Sequence, residues 1–79
     1  MNNDKVPYIE IYGMNTCTYC IETMTMLQKE KRIKFDYKYY DVSELPSVHV
    51  DKTSYYRCTP KVFVNGIFIG GYTNLKAFF

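Results

Sequence analysis

The sequence lacks the features that would point to a membrane protein, a nucleic-acid-binding protein or a disordered chain. No apolar run approaches the ~20 residues of a membrane span, and the start "MNNDKVPY" carries no apolar leader segment. The formal net charge is only +2, so without a concentrated basic stripe we expect no nucleic-acid partner. We therefore expect a soluble, folded protein of the cytosol that has no membrane partner.

Length and composition predict one small domain. The chain has 79 residues, of which 47% are hydrophobic and 23% are charged, as is usual for soluble globular domains. A chain of this length buries one modest core, and no linker, internal repeat or low-complexity segment divides it. We expect a single domain over residues 1–79 that acts as a monomer.

Cysteine is scarce and odd in number, which excludes a fully paired disulfide framework. Cytosolic cysteines are usually reduced unless they take part in catalysis or bind a metal. Two of the 3 cysteines, Cys17 and Cys20, form a C-x-x-C motif inside the segment "NTCTYCIETM". This pair is open to three interpretations: a redox pair, half of a metal site, or two small residues of the core.

Hydrophobic periodicity predicts two strands joined by a helix in the first half of the chain. Apolar residues alternate over residues 6–12 and again over 33–42, and Gly13 ends the first of these strands. From Cys17 the spacing changes to three and four residues, which predicts a helix with both thiols on its apolar face. The residues at this spacing are Cys17, Cys20, Ile21, Met24, Leu27 and Lys31. A helical crossover predicts that the two strands are parallel.

A short helix and a hairpin are expected next. Ser43 is a candidate helix cap, and Pro46 fits only the first turn of such a helix. The dipeptide Asn65-Gly66 supplies two positive-φ positions, which predicts a tight hairpin between "KVFV" and "IFI".

The final segment predicts a last helix. Gly70 and Gly71 interrupt the strand, and "YTNLKAFF" is typical of a short helix capped near Thr73. The order of elements is then β-α-β-α-β-β-α. This is an α/β fold with a four-stranded mixed sheet flanked by helices.

The position of the C-x-x-C motif favours redox chemistry. The first turn of a helix offers free N–H donors and a partial positive charge, which lower the pKa of a cysteine. Cys17 stands at such a start, and Cys20, one turn later, can reach its sulfur. A C-x-x-C motif between a strand and an amphipathic helix is the context in which redox pairs occur.

A metal site within one chain fits less well. A closed zinc site needs four ligands, usually from a second C-x-x-C motif or a pair of histidines. The remaining candidates are Cys58 and the one histidine, His49, for which we expect an ordinary surface or helix-packing role. An iron–sulfur cluster shared between two chains stays open.

Pro60 has two equally good interpretations. It follows Thr59 at the start of a predicted strand, where proline is common. Alternatively, a cis Thr59–Pro60 bond would present the preceding backbone to a ligand.

Three separated motifs give the chain a resemblance to the glutaredoxins, small proteins of the thioredoxin fold, over nearly its whole length. The segment "CTYC" at 17–20 is similar to the family's Cys-Pro-Tyr-Cys, and "CTPKVFVNG" at 58–66 is similar to Thr-Val-Pro-x-Val-Phe-x-Asn-Gly. The third, "IGGYTNL" at 69–75, is similar to Gly-Gly-x-x-Asp-Leu. Their order and spacing together are specific. The resemblance implies a glutathione-dependent thiol–disulfide oxidoreductase in which Cys17 attacks as the thiolate and Cys20 resolves.

The resemblance also implies a glutathione site. Thr59, next to a cis-Pro60, would offer its backbone to the cysteinyl part, and Arg57 would pair with the glycyl carboxylate. A helix start would hold the γ-glutamyl carboxylate through its free N–H groups. The implied substrate-binding residues are Tyr19, Arg57, Thr59, Pro60, Gly71, Thr73 and Asn74.

Four positions depart from the family pattern. Met14 replaces a lysine that would attract glutathione and favour the thiolate, and Asn74 replaces an acidic partner of the glutathione ammonium. Thr18 replaces a proline, and we hypothesise that its hydroxyl bonds the Cys17 thiolate and compensates in part for Met14. Cys58 stands where threonine is usual; we favour an inert buried residue, with a disulfide to an active-site thiol as the alternative.

The sequence thus predicts a reductant of protein disulfides or glutathione mixed disulfides that glutathione resets and that needs no bound cofactor. Two alternatives stay open. The first is a redoxin dedicated to one protein partner, such as ribonucleotide reductase, and reduced by a flavoprotein. Met14 favours it, whereas "GGYTN" argues against it. The second is a non-enzymatic carrier of an iron–sulfur cluster.

Overall fold

The described part of the protein is a mixed four-stranded sheet with three α-helices. The computed structural model describes residues 6–54 and 59–79, so the predictions for Arg57 and Cys58 lie outside the described residues. The strands are β1 (Tyr8–Gly13), β2 (Asp36–Asp41), β3 (Lys61–Val64) and β4 (Ile67–Gly70). The helices are α1 (Thr18–Lys29), α2 (Ser47–Lys52) and α3 (Tyr72–Phe78), with a 3-10 turn at Val42–Glu44. The predicted order β-α-β-α-β-β-α is confirmed.

The sheet has the strand order β2-β1-β3-β4. Strands β1 and β2 are parallel, with Ile11 opposite Tyr39, as the helical crossover between them predicts. Strand β3 runs antiparallel to β1, with Val62 opposite Ile11, and β4 runs antiparallel to β3. Strand β1 therefore lies between β2 and β3. Its last residue, Gly13, leads into the segment that contains the C-x-x-C motif.

The hairpin between β3 and β4 forms at the predicted dipeptide. Asn65 has φ 52° and Gly66 has φ 84°, the left-handed conformation that a tight hairpin requires. Asn65 also ties the hairpin to β1, because its Oδ1 accepts a hydrogen bond from the Tyr8 N–H at 2.9 Å. The Asn65 N–H donates in turn to the Tyr8 carbonyl at 2.8 Å.

Both faces of the central strands are buried. One face carries a cluster of aliphatic side chains from β1, β3, α1 and α3. Its buried members are Ile9, Ile11, Leu27, Val62, Val64 and Leu75. The other face buries Tyr12, Leu45 and Phe63. The His49 ring of α2 lies 4.6 Å from the Phe63 ring, which confirms a helix-packing role for this histidine.

Two helices begin elsewhere than the sequence predicts. Ser43 caps no helix; it lies in the 3-10 turn, and its N–H donates to the Asp41 carboxylate at 2.9 Å. Helix α2 starts only after Pro46, because the residue before a proline avoids the helical conformation, and Leu45 is extended with φ −62° and ψ 125°. Helix α3 begins at Tyr72 with Gly71 as its cap, rather than near Thr73.

The buried face of α1 also differs from the periodic pattern. Ile21 belongs to the predicted apolar face but is 56% exposed, whereas Thr23 is fully buried. Thr23 can be buried because its hydroxyl donates to the Tyr19 carbonyl at 2.7 Å, which satisfies its polar atom within the helix.

None of the described helices combines the length and the apolar character that a membrane span requires.

Candidate active site

Cys17 caps the N-terminus of α1. It has extended backbone dihedrals, φ −85° and ψ 123°, and its sulfur accepts a hydrogen bond from the Cys20 N–H at 3.4 Å. Serine, threonine or aspartate usually fill this role with an oxygen. Here a sulfur takes one of the free N–H groups of the first turn, so the helix start favours the negatively charged form of the Cys17 side chain.

Thr59 holds the same sulfur from the loop before β3. Its hydroxyl donates to the Cys17 sulfur at 3.3 Å, and the Cys17 thiol donates to the Thr59 carbonyl at 3.6 Å. The Thr59–Pro60 peptide bond is cis, as the family resemblance implies, and Pro60 is buried. Two residues that are 42 positions apart in sequence thus meet at the start of α1.

The two thiols of the motif have pKa values displaced in opposite directions. The hydrogen bond from Thr59 lowers the pKa of Cys17 below its ordinary value, and hydrogen bonds from Cys20 and Tyr19 add to this effect against a smaller opposing contribution of burial. Burial raises the pKa of Cys20, whose side chain is only 1% exposed, although the Met14 N–H donates to its sulfur at 3.4 Å. Cys17 is thus suited to attack first, and Cys20 to act later.

The hydroxyl beside Cys17 belongs to Thr59 and not to Thr18. Thr18 is exposed as the first residue of α1, and within the described part of the chain its hydroxyl makes no hydrogen bond to the sulfur. The Cys17 sulfur faces the loop that ends in Pro60, so its hydroxyl donor is Thr59, which is close in space, and not Thr18, which is adjacent in sequence. The predicted hydrogen bond from the Thr18 hydroxyl is therefore wrong, and Thr59 provides the hydroxyl instead.

An aromatic pair joins the start of α1 to the start of α3. Tyr19 is 58% exposed, and its ring stacks on the Tyr72 ring with centroids 5.6 Å apart and planes inclined by 28°. The sequence motifs predicted no role for Tyr72. Its position directly after the two glycines of "IGGYTNL" was the available signal.

This aromatic contact brings the remaining substrate-binding candidates towards the Cys17 side of the molecule. Gly71 is buried next to Tyr72, whereas Thr73 and Asn74 are exposed in the first turn of α3. The Asn74 Oδ1 accepts a hydrogen bond from the Gly71 N–H at 3.0 Å. The first turn of α3 therefore satisfies one of its own donors with the side chain that replaces the family's acidic residue.

Met14 stands between β1 and α1, where its side chain is 45% exposed. Its backbone contributes to the site through the N–H bonded to Cys20, but its thioether carries no charge to attract an anionic substrate.

Within residues 6–54 and 59–79, no three His, Cys, Asp or Glu side chains lie close enough together to hold a metal ion.

Fold and site together define a class of protein. A thiol with a lowered pKa caps the helix after the central β1, a buried thiol follows one turn later, and a cis-proline loop faces both. This is a dithiol site on a thioredoxin-type fold.

The chain belongs to the glutaredoxin family. The sequence profile of the family described as Glutaredoxin matches residues 9–69. Among solved structures the chain is similar to glutaredoxin 1 from Francisella tularensis complexed with cacodylate, with 28% sequence identity and a TM-score of 0.60 over 91% of each chain. A comparison with curated proteins gives no significant match. Family and fold support a thiol–disulfide oxidoreductase.

Proposed function

We propose that the protein is a glutathione-dependent thiol–disulfide oxidoreductase that works through Cys17 and Cys20. One observation carries this proposal: the Cys17 sulfur is partly exposed and accepts hydrogen bonds from Thr59 and Cys20, whereas the Cys20 sulfur is buried directly behind it. The difference assigns the attack to Cys17 and the resolving step to Cys20.

In the first step the Cys17 thiolate attacks one sulfur of a protein disulfide or of a glutathione mixed disulfide. A new S–S bond forms between Cys17 and the substrate, and the old S–S bond breaks. The departing thiolate takes a proton from water. The Thr59 hydroxyl and the Cys20 N–H stabilise the attacking thiolate before this step.

In the second step Cys20 gives up its proton and attacks the Cys17 sulfur of the mixed disulfide. The Cys17–Cys20 disulfide forms, and the second substrate thiol leaves with a proton. The substrate has then gained two electrons. Two glutathione molecules then reduce the Cys17–Cys20 disulfide and become glutathione disulfide, so the proposed cycle needs no bound cofactor.

The glutathione part of this proposal is supported by the residues near Cys17. The Thr59 hydroxyl and the backbone of Tyr19 contact the sulfur, and the Tyr19 ring stacks on Tyr72, the neighbour in sequence of Gly71 and Thr73. The Arg57 contact stays a prediction from the sequence. We place the cycle in the cytosol as part of the same proposal.

A redoxin that serves one protein partner is the second candidate. The uncharged, partly exposed Met14 favours it, because the family's lysine at this position would help to attract glutathione. Turnover with glutathione and glutathione reductase is expected under the first proposal. Turnover only with a thioredoxin-reductase-type flavoprotein would support the redoxin instead.

Trapping with glutathione disulfide tests the assignment of the two thiols. After exposure of the Cys20→Ser variant, intact mass and peptide mapping are expected to show one glutathione on Cys17. The Cys17→Ser variant is expected to carry none on Cys20, and a Cys58→Ser control is expected to form the Cys17–Cys20 disulfide like the parent. An adduct on Cys20 and none on Cys17 would reverse the assignment.

A further inference from the structure

A tyrosine hydroxyl lies against the buried thiol of the pair. Tyr39, on β2, and Cys20, on α1, converge over Gly13, the last residue of β1. A Cβ at Gly13 would lie 2.6 Å from the Tyr39 hydroxyl oxygen and 2.7 Å from the Cys20 sulfur. Glycine leaves the space in which the two polar groups meet, and both residues line one groove.

The Tyr39 hydroxyl is protonated at neutral pH. Burial raises the pKa of Tyr39 to about 12, and the charges of Cys20, Cys17 and Asp41 act in the same direction. These are the titratable groups that face the pair from α1 and from β2, with Thr59 as the polar neighbour from the loop before β3. At neutral pH the Tyr39 O–H is therefore available as a donor.

The buried thiol needs such donors at one moment of the cycle. Cys20 reacts as a thiolate, and a charged group withdrawn from water is unfavourable unless hydrogen bonds replace its hydration. The Met14 N–H supplies one hydrogen bond to this sulfur at 3.4 Å. The Thr59 side chain also lowers the pKa of Cys20 through a hydrogen bond, and the Tyr39 hydroxyl is placed to supply a further one.

We propose that Tyr39 is a catalytic hydrogen-bond donor for the resolving step: its hydroxyl stabilises the Cys20 thiolate that attacks the mixed disulfide on Cys17. The inference rests on the proposed function, which assigns the resolving role to Cys20. It adds a residue from β2 to a site otherwise built from α1, the segment before it and the loop before β3.

In the resolving step each bond formed is matched by a bond broken, and Tyr39 ends the step unchanged. The Cys20 S–H bond breaks, and its proton passes to water through a groove of about 400 Å³ that both Cys20 and Tyr39 line. The Cys20–Cys17 S–S bond forms as the bond from Cys17 to the substrate sulfur breaks. The substrate leaves as a thiolate and is protonated by water, while Tyr39 keeps its own proton throughout.

The test replaces Tyr39 by phenylalanine and uses Tyr37→Phe as the matched control. Both tyrosines lie on β2 with their side chains on the same face, and both are partly buried. After mixing with glutathione disulfide and acid quench, mass spectrometry gives two rates over a range of pH. The first is formation of the Cys17 mixed disulfide, and the second is its conversion to the Cys17–Cys20 disulfide.

Tyr39→Phe is expected to form the mixed disulfide at the parental rate but to convert it about tenfold more slowly at neutral pH, since a one-unit rise in pKa lowers the ionised fraction about tenfold. The pH midpoint of conversion should rise by about one unit for the same reason. Tyr37→Phe should match the parent in both rates.

A second readout does not depend on turnover. In the Cys17→Ser chain, the pH dependence of Cys20 alkylation, followed by peptide mapping, should move to higher pH when Tyr39→Phe is added and should stay in place when Tyr37→Phe is added.

Two results would overturn the inference. The first is an unchanged pH midpoint in Tyr39→Phe, whether or not the rate falls, because a merely structural defect slows the step without moving its midpoint. The second is a parent protein that forms no mixed disulfide on Cys17, which removes the proposed function and the role of Tyr39 together. In the first case, a parent that still cycles normally leaves the proposed function in place, and only the role of Tyr39 is removed.

Discussion

Thr59 contacts the Cys17 sulfur with two groups of opposite hydrogen-bonding character. Its hydroxyl donates to the sulfur at 3.3 Å, and its carbonyl accepts from the thiol at 3.6 Å. The protonated thiol therefore has an acceptor, and the thiolate has a donor. Because the hydroxyl bond is the largest influence on the pKa of Cys17, the loop before β3 determines much of the reactivity at the start of α1.

Removal of the Thr59 hydroxyl is expected to make Cys17 a weaker acid. Thr59→Val keeps the shape of the side chain but loses the donor, so the pKa of Cys17 should rise by about one unit. Thr59→Ser keeps the donor and serves as the control. The measurement is the rate of Cys17 alkylation against pH, and equal midpoints in Thr59→Val and the parent would refute the role of the hydroxyl.

The two steps of the proposed reaction are expected to respond to pH at different midpoints. The pKa of Cys17 is lowered, so its thiolate forms at a lower pH than that of an ordinary thiol. The pKa of Cys20 is raised, so its thiolate gains population only at higher pH. At pH values between the two, the mixed disulfide on Cys17 should accumulate before it converts.

Quenched mass spectra over a pH series measure this accumulation, with Cys20→Ser marking the signal of a fully trapped mixed disulfide. If formation and conversion rose together with one common midpoint, the division of labour between Cys17 and Cys20 would be wrong.

Gly13→Ala is expected to destabilise the protein and disturb the thiol behind the active site. The added methyl would stand 2.6 Å from the Tyr39 oxygen and 2.7 Å from the Cys20 sulfur, both closer than non-bonded atoms approach. Overpacking of this kind costs about 1–3 kcal/mol. Chemical denaturation gives the loss of stability, and the pH midpoint of Cys20 alkylation should move as the Tyr39 hydroxyl is pushed away. Parental stability would show that the site has unoccupied space.

Gly66→Ala is the matched substitution at the far end of the sheet. No atom lies within 4 Å of the added Cβ, but Gly66 has φ 84°, where an alanine is strained by about 1 kcal/mol. The expected result is a lower denaturation midpoint with unchanged pH midpoints for Cys17 and Cys20. A change in either thiol would mean that the hairpin and the active site are coupled.

Local patterns predict most of the fold because they depend on near neighbours. Alternation identifies the strands, helical spacing identifies α1, and the Asn65-Gly66 dipeptide fixes the hairpin. The helix start at Thr73 was wrong because several polar or glycine residues in that segment can serve as a cap. The start at Ser43 was wrong because Pro46 keeps the preceding residue out of a helix. The exposure of Ile21 and the burial of Thr23 depend on how far α1 is rotated against the sheet, which periodicity alone does not determine.

The active site is less predictable for a related reason. The position of Cys17 at a helix start follows from its local sequence. Its hydroxyl partner does not: Thr18 is adjacent in sequence, but Thr59 is adjacent in space. The contact between Tyr39 and Cys20 likewise requires the β1–β2 register and the absence of a side chain at Gly13.

The most direct test of the account is the pH titration of the Cys17 sulfur itself. Site-resolved alkylation of the reduced protein, with the Cys17→Ser variant as the blank, gives its midpoint. The account predicts a midpoint clearly below the value of about 8.5 for an unperturbed thiol, and below the midpoint of Cys20. A Cys17 thiol that remains protonated beyond pH of about 8.5 would contradict it.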